Sequence, residues 1–270
     1  MADKLLERMI AAATKAGDVI MAVYASGFEA TDKADGSPVT LADQRAEEII
    51  ISSLADTGIP LLGEESFSDG TIPKLGDRYF IVDPLDGTKE FIKRNGEFTV
   101  NIALIEHGVP TLGVVLAPAL DRMYTGAAGE ALEYVMDGSK IISQKPMRVA
   151  NSGPMKMVAS RSHGSRTLLG LLCDHFGVTE DVSVGSSLKF CLVANGTARF
   201  YPRFTPTCEW DIAAGQAVLA AAGGAVLALD GNPMGYGKAD KKFLNPFFAA
   251  AESTALAQSV TAKMRALLAA

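Results

Sequence analysis

The chain has 270 residues, 48% of them hydrophobic, enough to bury one large core or two closely joined halves. A formal net charge of −6 counts against a nucleic-acid polymer or an anionic membrane as partner, since both call for a basic excess. Any anionic substrate must therefore be held by local cations or by metal. The three cysteines, Cys173, Cys191 and Cys208, form no C-x-x-C pair, which favours structural thiols in a reducing cytoplasm over a disulfide framework or a zinc cluster.

Residues 3–25 carry apolar side chains at helical spacing, among them Leu6, Met9, Ile10, Ala13, Ile20 and Tyr24, and predict a long helix. Its leading segment, MADKLLERMI, has scattered charges and lacks the apolar stretch of a secretory signal. After the polar KADGSPVT, the run LADQRAEEIIISSL predicts a second helix. IPLLGEES reads as a short strand ending in an acidic turn, and DRYFIVD as a strand whose exit is DPLDG. EFTVNIALIEHGVPTLGVVLAPAL predicts two strands joined at His107-Gly108, and DRMYTGAAGEALEYV continues the strand-and-turn pattern. From residue 138 onward strands and helices are expected to alternate: a strand at 155–160, a helix at 165–176 ended by Gly177, a turn into a helix within 182–196, a strand at 198–204, a helix over 209–224, a strand and turn over 225–233, and a closing helix at 252–270. The longest uncharged stretch, residues 212–229, is interrupted by Gly215, Gly223 and Gly224. It reads as helix, turn and strand rather than as a transmembrane segment. The pattern suits two α/β halves, 1–137 and 138–270.

Acidic residues fall at several element ends: Glu64 and Glu65 in GEES, Asp83 and Asp86 in DPLDG, and Asp211 in WDIAAG. Each alone also suits a plainer role, Asp86 and Asp211 as helix caps and the glutamates as a solvated turn. A cap does not need a neighbouring D-P-x-D, however. Pro84 stiffens that turn and holds the two aspartates at a set separation, with the Leu85 carbonyl facing the same space. Two like charges so close repel each other, so a cation between them is expected. The donor set is all oxygen, with no His or Cys nearby, which favours Mg²⁺ over Zn²⁺. Asp83 lies between two ion positions, as in the two-metal apparatus of phosphate-ester hydrolysis. Gly87 and Thr88, at the start of the next helix, offer N–H groups to a phosphate. An aspartyl-nucleophile mechanism built on D-x-D-x-T is disfavoured, because D-x-x-D-G-T is one residue longer and misplaces the second carboxylate.

GEES, DPLDGT and WDIAAGQAVLAAAGG, in this order and at these separations, resemble the inositol monophosphatase-like superfamily of Mg²⁺-dependent, lithium-sensitive phosphatases, and the resemblance spans essentially the whole chain. It implies an α/β/α/β/α five-layer sandwich. It also implies that Glu64, Asp83 and the Leu85 carbonyl hold one metal and that Asp83, Asp86 and Asp211 hold a second. Thr88 would orient the attacking water, its hydroxyl tied to Asp43 of VTLADQ, while Glu65 would order a third metal or a water. Without the resemblance, Asp43 reads as a carboxylate placed in a first helical turn by the helix dipole.

Within the superfamily, DPLDGTKEFIKRNGEFTVNIALIEHG, GSSLKFCLVANG, YPRFTPT and FLNPFF resemble the 3′(2′),5′-bisphosphate nucleotidases of the CysQ type more than the inositol enzymes. Lys89 follows the phosphate-binding Gly-Thr, and residues 201–208 contain no acid for sugar hydroxyls but carry Arg203. The similarity implies that Ser186, Lys189 and Arg203 contact a nucleotide and its 5′-phosphate, with His163 near the adenosine. Lys189 and Arg203 also admit a reading as surface charges. Trp210 is expected as core packing beside Asp211, and His107 and His175 as turn and helix-surface residues. The expected reaction removes the 3′-phosphate of adenosine 3′,5′-bisphosphate, giving AMP, with 3′-phosphoadenylyl sulfate as a second substrate in sulfur metabolism. The alternatives are a phosphatase for inositol phosphate or a sugar bisphosphate, and a catalytically silent nucleotide sensor. The same resemblance leaves a homodimer and peripheral membrane association open.

Overall fold

The structure, a computed structural model, describes residues 2–26, 30–32, 38–160 and 166–269. In chain order the elements are α1 (Ala2–Ser26), β1 (Ala30–Asp32), β2 (Pro38–Thr40), α2 (Leu41–Leu54), β3 (Leu61–Gly63), α3 (Glu64–Ser68), β4 (Arg78–Asp86), α4 (Thr88–Ile92), β5 (Thr99–Glu106), β6 (Val109–Ala117), β7 (Arg122–Ala127), β8 (Glu130–Asp137) and β9 (Lys140–Pro146). Then follow β10 (Lys156–Ser160), α5 (Arg166–Phe176), β11 (Glu180–Val184), α6 (Leu188–Ala194), β12 (Phe200–Arg203), β13 (Thr207–Cys208), α7 (Glu209–Ala221), β14 (Ala225–Ala228), β15 (Leu244–Asn245), β16 (Phe248–Ala251) and α8 (Thr254–Leu268).

A seven-stranded sheet runs β3-β4-β5-β6-β7-β8-β9, parallel at β3–β4 and antiparallel from β4 onward. A second sheet of five strands runs β11-β10-β12-β16-β14. Three apolar cores fill the four interfaces of five layers, one of them spanning both sides of the middle helices. Met9, Ala13 and Ile20 of α1 and Ala46 and Ile50 of α2 pack with Phe80, Val82, Ile102 and Val114 on one face of the large sheet. The opposite face packs Ile81, Ala103 and Val115 with Phe190 of α6 and Val218 of α7, which rest in turn on Tyr201 and Phe248 of the small sheet. The outer face of that sheet joins Met157, Phe200 and Leu227 to Leu172 of α5 and to Val260 and Met264 of α8. The α/β/α/β/α sandwich expected from the motifs is therefore the fold.

Helix α7 is apolar nearly all round, as a helix between two sheets must be. Gly113 and its cross-strand partner Gly126 admit it: a Cβ at either would lie 2.4–2.6 Å from the α7 backbone at Ala214, Ala217 or Val218. That close seating carries the first turn of α7, with Asp211, towards β4.

The β5–β6 hairpin turns at His107 and Gly108, both at positive φ, as a two-residue turn between twisted strands requires. Several segments differ from the sequence pattern: residues 64–68, read as an acidic turn, form the helix α3, and two further segments are strands. β9 continues the first sheet beyond Gly138, so the chain changes sheets after Pro146. All seven residues of β9 are exposed, which leaves no apolar alternation to read. β11 is likewise a strand where the pattern reads as a turn.

Candidate active site

The site begins with an irregularity in β4. Asp83 pairs with Asn101 and Asp86 with Thr99, so three steps along β4 match two along β5. The extra residue is a β-bulge at Pro84-Leu85, and Pro84 has no N–H to give to the ladder. Side chains on a strand alternate faces, so positions 83 and 86 would otherwise point to opposite sides. The bulge resets the alternation. Leu85 packs in the same core as Phe80 and Val82, whereas Asp83 and Asp86 share the face that Asn101 and Thr99 mark. Leu85 N–H donates to Asp83 Oδ1 at 3.0 Å, Asn101 Nδ2 to Asp86 Oδ2 at 3.5 Å, and Thr99 Oγ1 to Asn101 Oδ1 at 3.1 Å. The reading of Asp86 as a helix cap is not what the structure has: α4 is capped by Gly87 without a side-chain bond.

Other elements bring further acids to this point. Glu64 opens α3 directly after β3, which runs parallel to β4. Asp211 lies in the first turn of α7 and accepts from Cys208 N–H at 2.8 Å. The N-cap is Cys208, and Asp211, three residues on, closes a capping box instead of capping the helix itself, a bond that holds its carboxylate in place beside the site. Burial first, then the charges of Glu64, Asp86, Asp211 and Asp43, hold Asp83 well above the ordinary carboxylate range. Burial, followed by Asp86 and Glu64, does the same to Asp211. Asp86 is also raised by burial, but Lys189 and Arg203 oppose the shift. A buried cluster of oxygen donors with this much mutual repulsion fits a hard divalent cation. Among the described residues no three of these side chains already converge on one ion position.

Glu64, Asp83, Leu85, Asp86, Gly87, Thr88, Lys89, Ser186, Lys189, Arg203 and Asp211 line one cavity of about 270 Å³. The same lining also carries cations. Lys189 is no surface charge: it is 5% exposed, lies 5.5 Å from the Tyr201 ring centroid and donates to the Ser186 carbonyl. Burial lowers it to about 8, against the pull of Asp86. Arg203 Nε donates to the Thr205 carbonyl at 3.2 Å. Ser186 stands at φ 45°, and its buried hydroxyl has no protein partner. A non-glycine residue held in that region carries backbone strain of about 1–3 kcal/mol.

The inositol monophosphatase family model matches residues 1–268. A 3′(2′),5′-bisphosphate nucleotidase CysQ from Escherichia coli O157:H7 is 47% identical over 248 residues, covering 90% of this chain and 98% of that protein. The chain belongs to the inositol monophosphatase family. It is a phosphatase of that metal-dependent family. The crystal structure of CysQ from Bacteroides thetaiotaomicron superposes with a TM-score of 0.78 at 40% identity, over 92% of this chain and 97% of that one. An inositol monophosphatase from Anabaena shares the fold, with a TM-score of 0.72 at 23% identity over 97% and 96% of the two chains.

Two of the residues singled out from the sequence do not line the cavity. Asp43 is fully buried on α2, within electrostatic reach of Asp83, and Glu65 is 8% exposed on α3. The Thr88 hydroxyl, expected on Asp43, instead donates at 3.3 Å to the Leu85 carbonyl, three residues back at the Pro84-Leu85 bulge. His163 lies outside the described residues. Trp210 packs against Phe67 at 5.2 Å and Phe243 at 6.2 Å between ring centroids, as core. Cys173, Cys191 and Cys208 are free thiols. No helix of the described residues is long and apolar enough to cross a membrane.

Sequence reasoning missed Asn101, Ser187 and Glu47. Asn101 breaks the apolar run VNIAL, a signal that was available. Ser187 Oγ donates to the Asp211 carbonyl at 2.7 Å and ties α6 to α7. Glu47 lies four residues after Asp43 on the buried stripe of α2, where an acid needs a partner.

Proposed function

We propose that the protein is a Mg²⁺-dependent 3′(2′),5′-bisphosphate nucleotidase that removes the 3′-phosphate of adenosine 3′,5′-bisphosphate and leaves AMP. The observation that carries this reading is the mixed lining of one cavity: buried Asp83 with half-buried Glu64, Asp86 and Asp211, together with buried Lys189 and half-buried Arg203. A monophosphate needs only the acidic, metal-binding side. Cations beside the acids suit a substrate with a second phosphate.

Glu64, Asp83 and the Leu85 carbonyl would hold one ion, and Asp83, Asp86 and Asp211 another. Ions bound there would neutralise the phosphate and lower the pKa of water. Thr88 orients the attacking water in line with the ester bond, with Asp43 behind it. The N–H groups of Gly87 and Thr88 face the phosphate, and Lys89 adds a cation at the rim. The water oxygen forms a bond to phosphorus as the bond from phosphorus to O3′ breaks, and a proton ends on O3′. Lys189, Arg203 and Ser186 hold the 5′-phosphate, which sets which ester is cleaved. Glu65, next to Glu64 in the chain, orders a further ion or water on this reading. The sulfated nucleotide, 3′-phosphoadenylyl sulfate, keeps both handles and is a second substrate on this account. Three free cysteines support a reducing, cytoplasmic setting.

Phosphate release under Mg²⁺ from adenosine 3′,5′-bisphosphate, inositol 1-phosphate and fructose 1,6-bisphosphate tests the reading, with Asp83→Asn as control. Preference for the nucleotide, lost in the variant, is the expected result. Preference for inositol 1-phosphate would overturn the substrate assignment.

A further inference from the structure

Helix α3, which carries Glu64 and Glu65, is five residues long, and its own N-cap, Gly63, supplies no side chain. The first N–H groups of any helix need acceptors from elsewhere. Here they come from another helix. Glu47 of α2 accepts from Glu65 N–H at 2.9 Å through Oε2 and from Ser66 N–H at 2.7 Å through Oε1, which also receives the Ser66 hydroxyl. The glutamate is 3% exposed, so its charge is satisfied by these donors in place of water. Gly63 stands where a Cβ would lie 2.4–2.7 Å from the Glu47 carboxylate. The strand end is therefore bare so that the carboxylate can reach the helix start. Asp43 and Glu47, four residues apart, lie on the buried stripe of α2.

We propose that Glu47 is a positioning residue for the metal-binding acids: it locks the start of α3, so that Glu64 meets the cavity at a fixed angle. This rests on the reading of Glu64 as a divalent-cation ligand. Glu47 touches neither cavity nor substrate, and acts through the backbone of the residues beside the ligand. Losing a partner that orients a ligand typically weakens metal affinity 10- to 100-fold. A residue that only held the fold together would instead lower melting temperature and leave affinity alone.

The test is a Mg²⁺ titration of metal-free protein followed by the rise in melting temperature, without substrate. Glu47→Gln keeps the shape but replaces one acceptor with a donor facing an N–H. Its Mg²⁺ midpoint is expected to move up by ~10-fold or more, with kcat recovering at high Mg²⁺ and KM for the nucleotide unchanged. Ser66→Ala removes one donor of the same clamp and shifts the midpoint less. Gly63→Ala, which crowds the carboxylate without removing it, shifts it in the same direction and carries the test if Glu47→Gln fails to fold. Unmoved midpoints in variants that melt earlier would overturn the proposal, as would wild-type protein with no Mg²⁺-dependent rise. Wild-type protein that binds Mg²⁺ but leaves the nucleotide intact would sink the substrate assignment alone, since this measurement uses none.

Discussion

Asp83 and Asp86 stand three positions apart on one strand and face the same side of it. Their cross-strand partners, Asn101 and Thr99, are two positions apart, and the difference is one residue of bulge. Leu85, between them, sends its side chain into the α1–α2 core at 1% exposure. Backbone and side chain thus serve different ends at this position. Leu85→Ala should cost about 2–5 kcal/mol of stability and leave kcat nearly unchanged, because the carbonyl remains. Asp86→Asn should do the reverse, sparing stability and abolishing turnover. Denaturant melts with single-turnover kinetics on both variants check this, and a large kcat loss in Leu85→Ala with normal folding would contradict it.

The acid cluster makes the metal-free protein sensitive to pH. Asp83 and Asp211 are raised by burial and by their neighbours. An acid raised on folding stabilises the fold while protonated, and that contribution is lost as pH rises through its folded pKa. Metal-free protein should therefore melt higher near pH 5 than near pH 8, and Mg²⁺ should narrow the gap. At a hundredfold excess over Kd the ion adds about 2.7 kcal/mol, roughly 5–10 °C for a chain of this size. Asp83→Asn should raise the metal-free melting temperature and remove the Mg²⁺ increment. Calorimetry with and without chelator reads both.

Lys189 should leave its own mark on substrate binding. Held at about 8 by burial, it loses its charge over the alkaline side of neutrality. KM for adenosine 3′,5′-bisphosphate should rise above that pH, while KM for adenosine 3′-monophosphate stays flat. Lys189→Met should raise the bisphosphate KM by roughly 10- to 100-fold, the worth of a charge-assisted bond, and Lys189→Arg should flatten the pH dependence. Equal effects on both substrates would place Lys189 elsewhere than at the second phosphate.

Gly87 holds φ +93°, and a Cβ there would lie 3.1 Å from the Glu97 carbonyl and 3.3 Å from Phe98 Cα. Gly87→Ala strains the backbone by about 1–3 kcal/mol and turns the Thr88 N–H away from phosphate. The expected result is a modest drop in melting temperature with a much larger fall in kcat. Wild-type kcat in this variant would remove Gly87 and Thr88 from the phosphate site.

Much of this was legible in the sequence. The LADQRAEEIIISSL pattern matches α2, residue for residue, because its apolar stripe recurs at helical spacing. D-P-x-D-G-T announced the acids, since a stiff turn with two carboxylates has few structural uses. What the sequence could not supply was phase and burial. Pro84 signalled rigidity, but only strand pairing shows that the bulge turns Asp86 to the side of Asp83. Lys189 is indistinguishable from a solvated lysine until Tyr201 and the Val184–Ser186 carbonyls close around it. Glu47 is indistinguishable in sequence from any other helix charge, because its partners lie 18 and 19 residues away. β9 escaped notice for the opposite reason: an edge strand exposed at every position carries no pattern.

The most direct test of the account is the identity of the nucleotide left after hydrolysis of adenosine 3′,5′-bisphosphate under Mg²⁺, resolved by chromatography against both monophosphates. With the acids at one ester and Lys189 and Arg203 at the other, the account predicts adenosine 5′-monophosphate, and its loss in Asp83→Asn. Adenosine 3′-monophosphate as the product would mean that Lys189 and Arg203 do not hold the 5′-phosphate, and would contradict the assignment of the two esters.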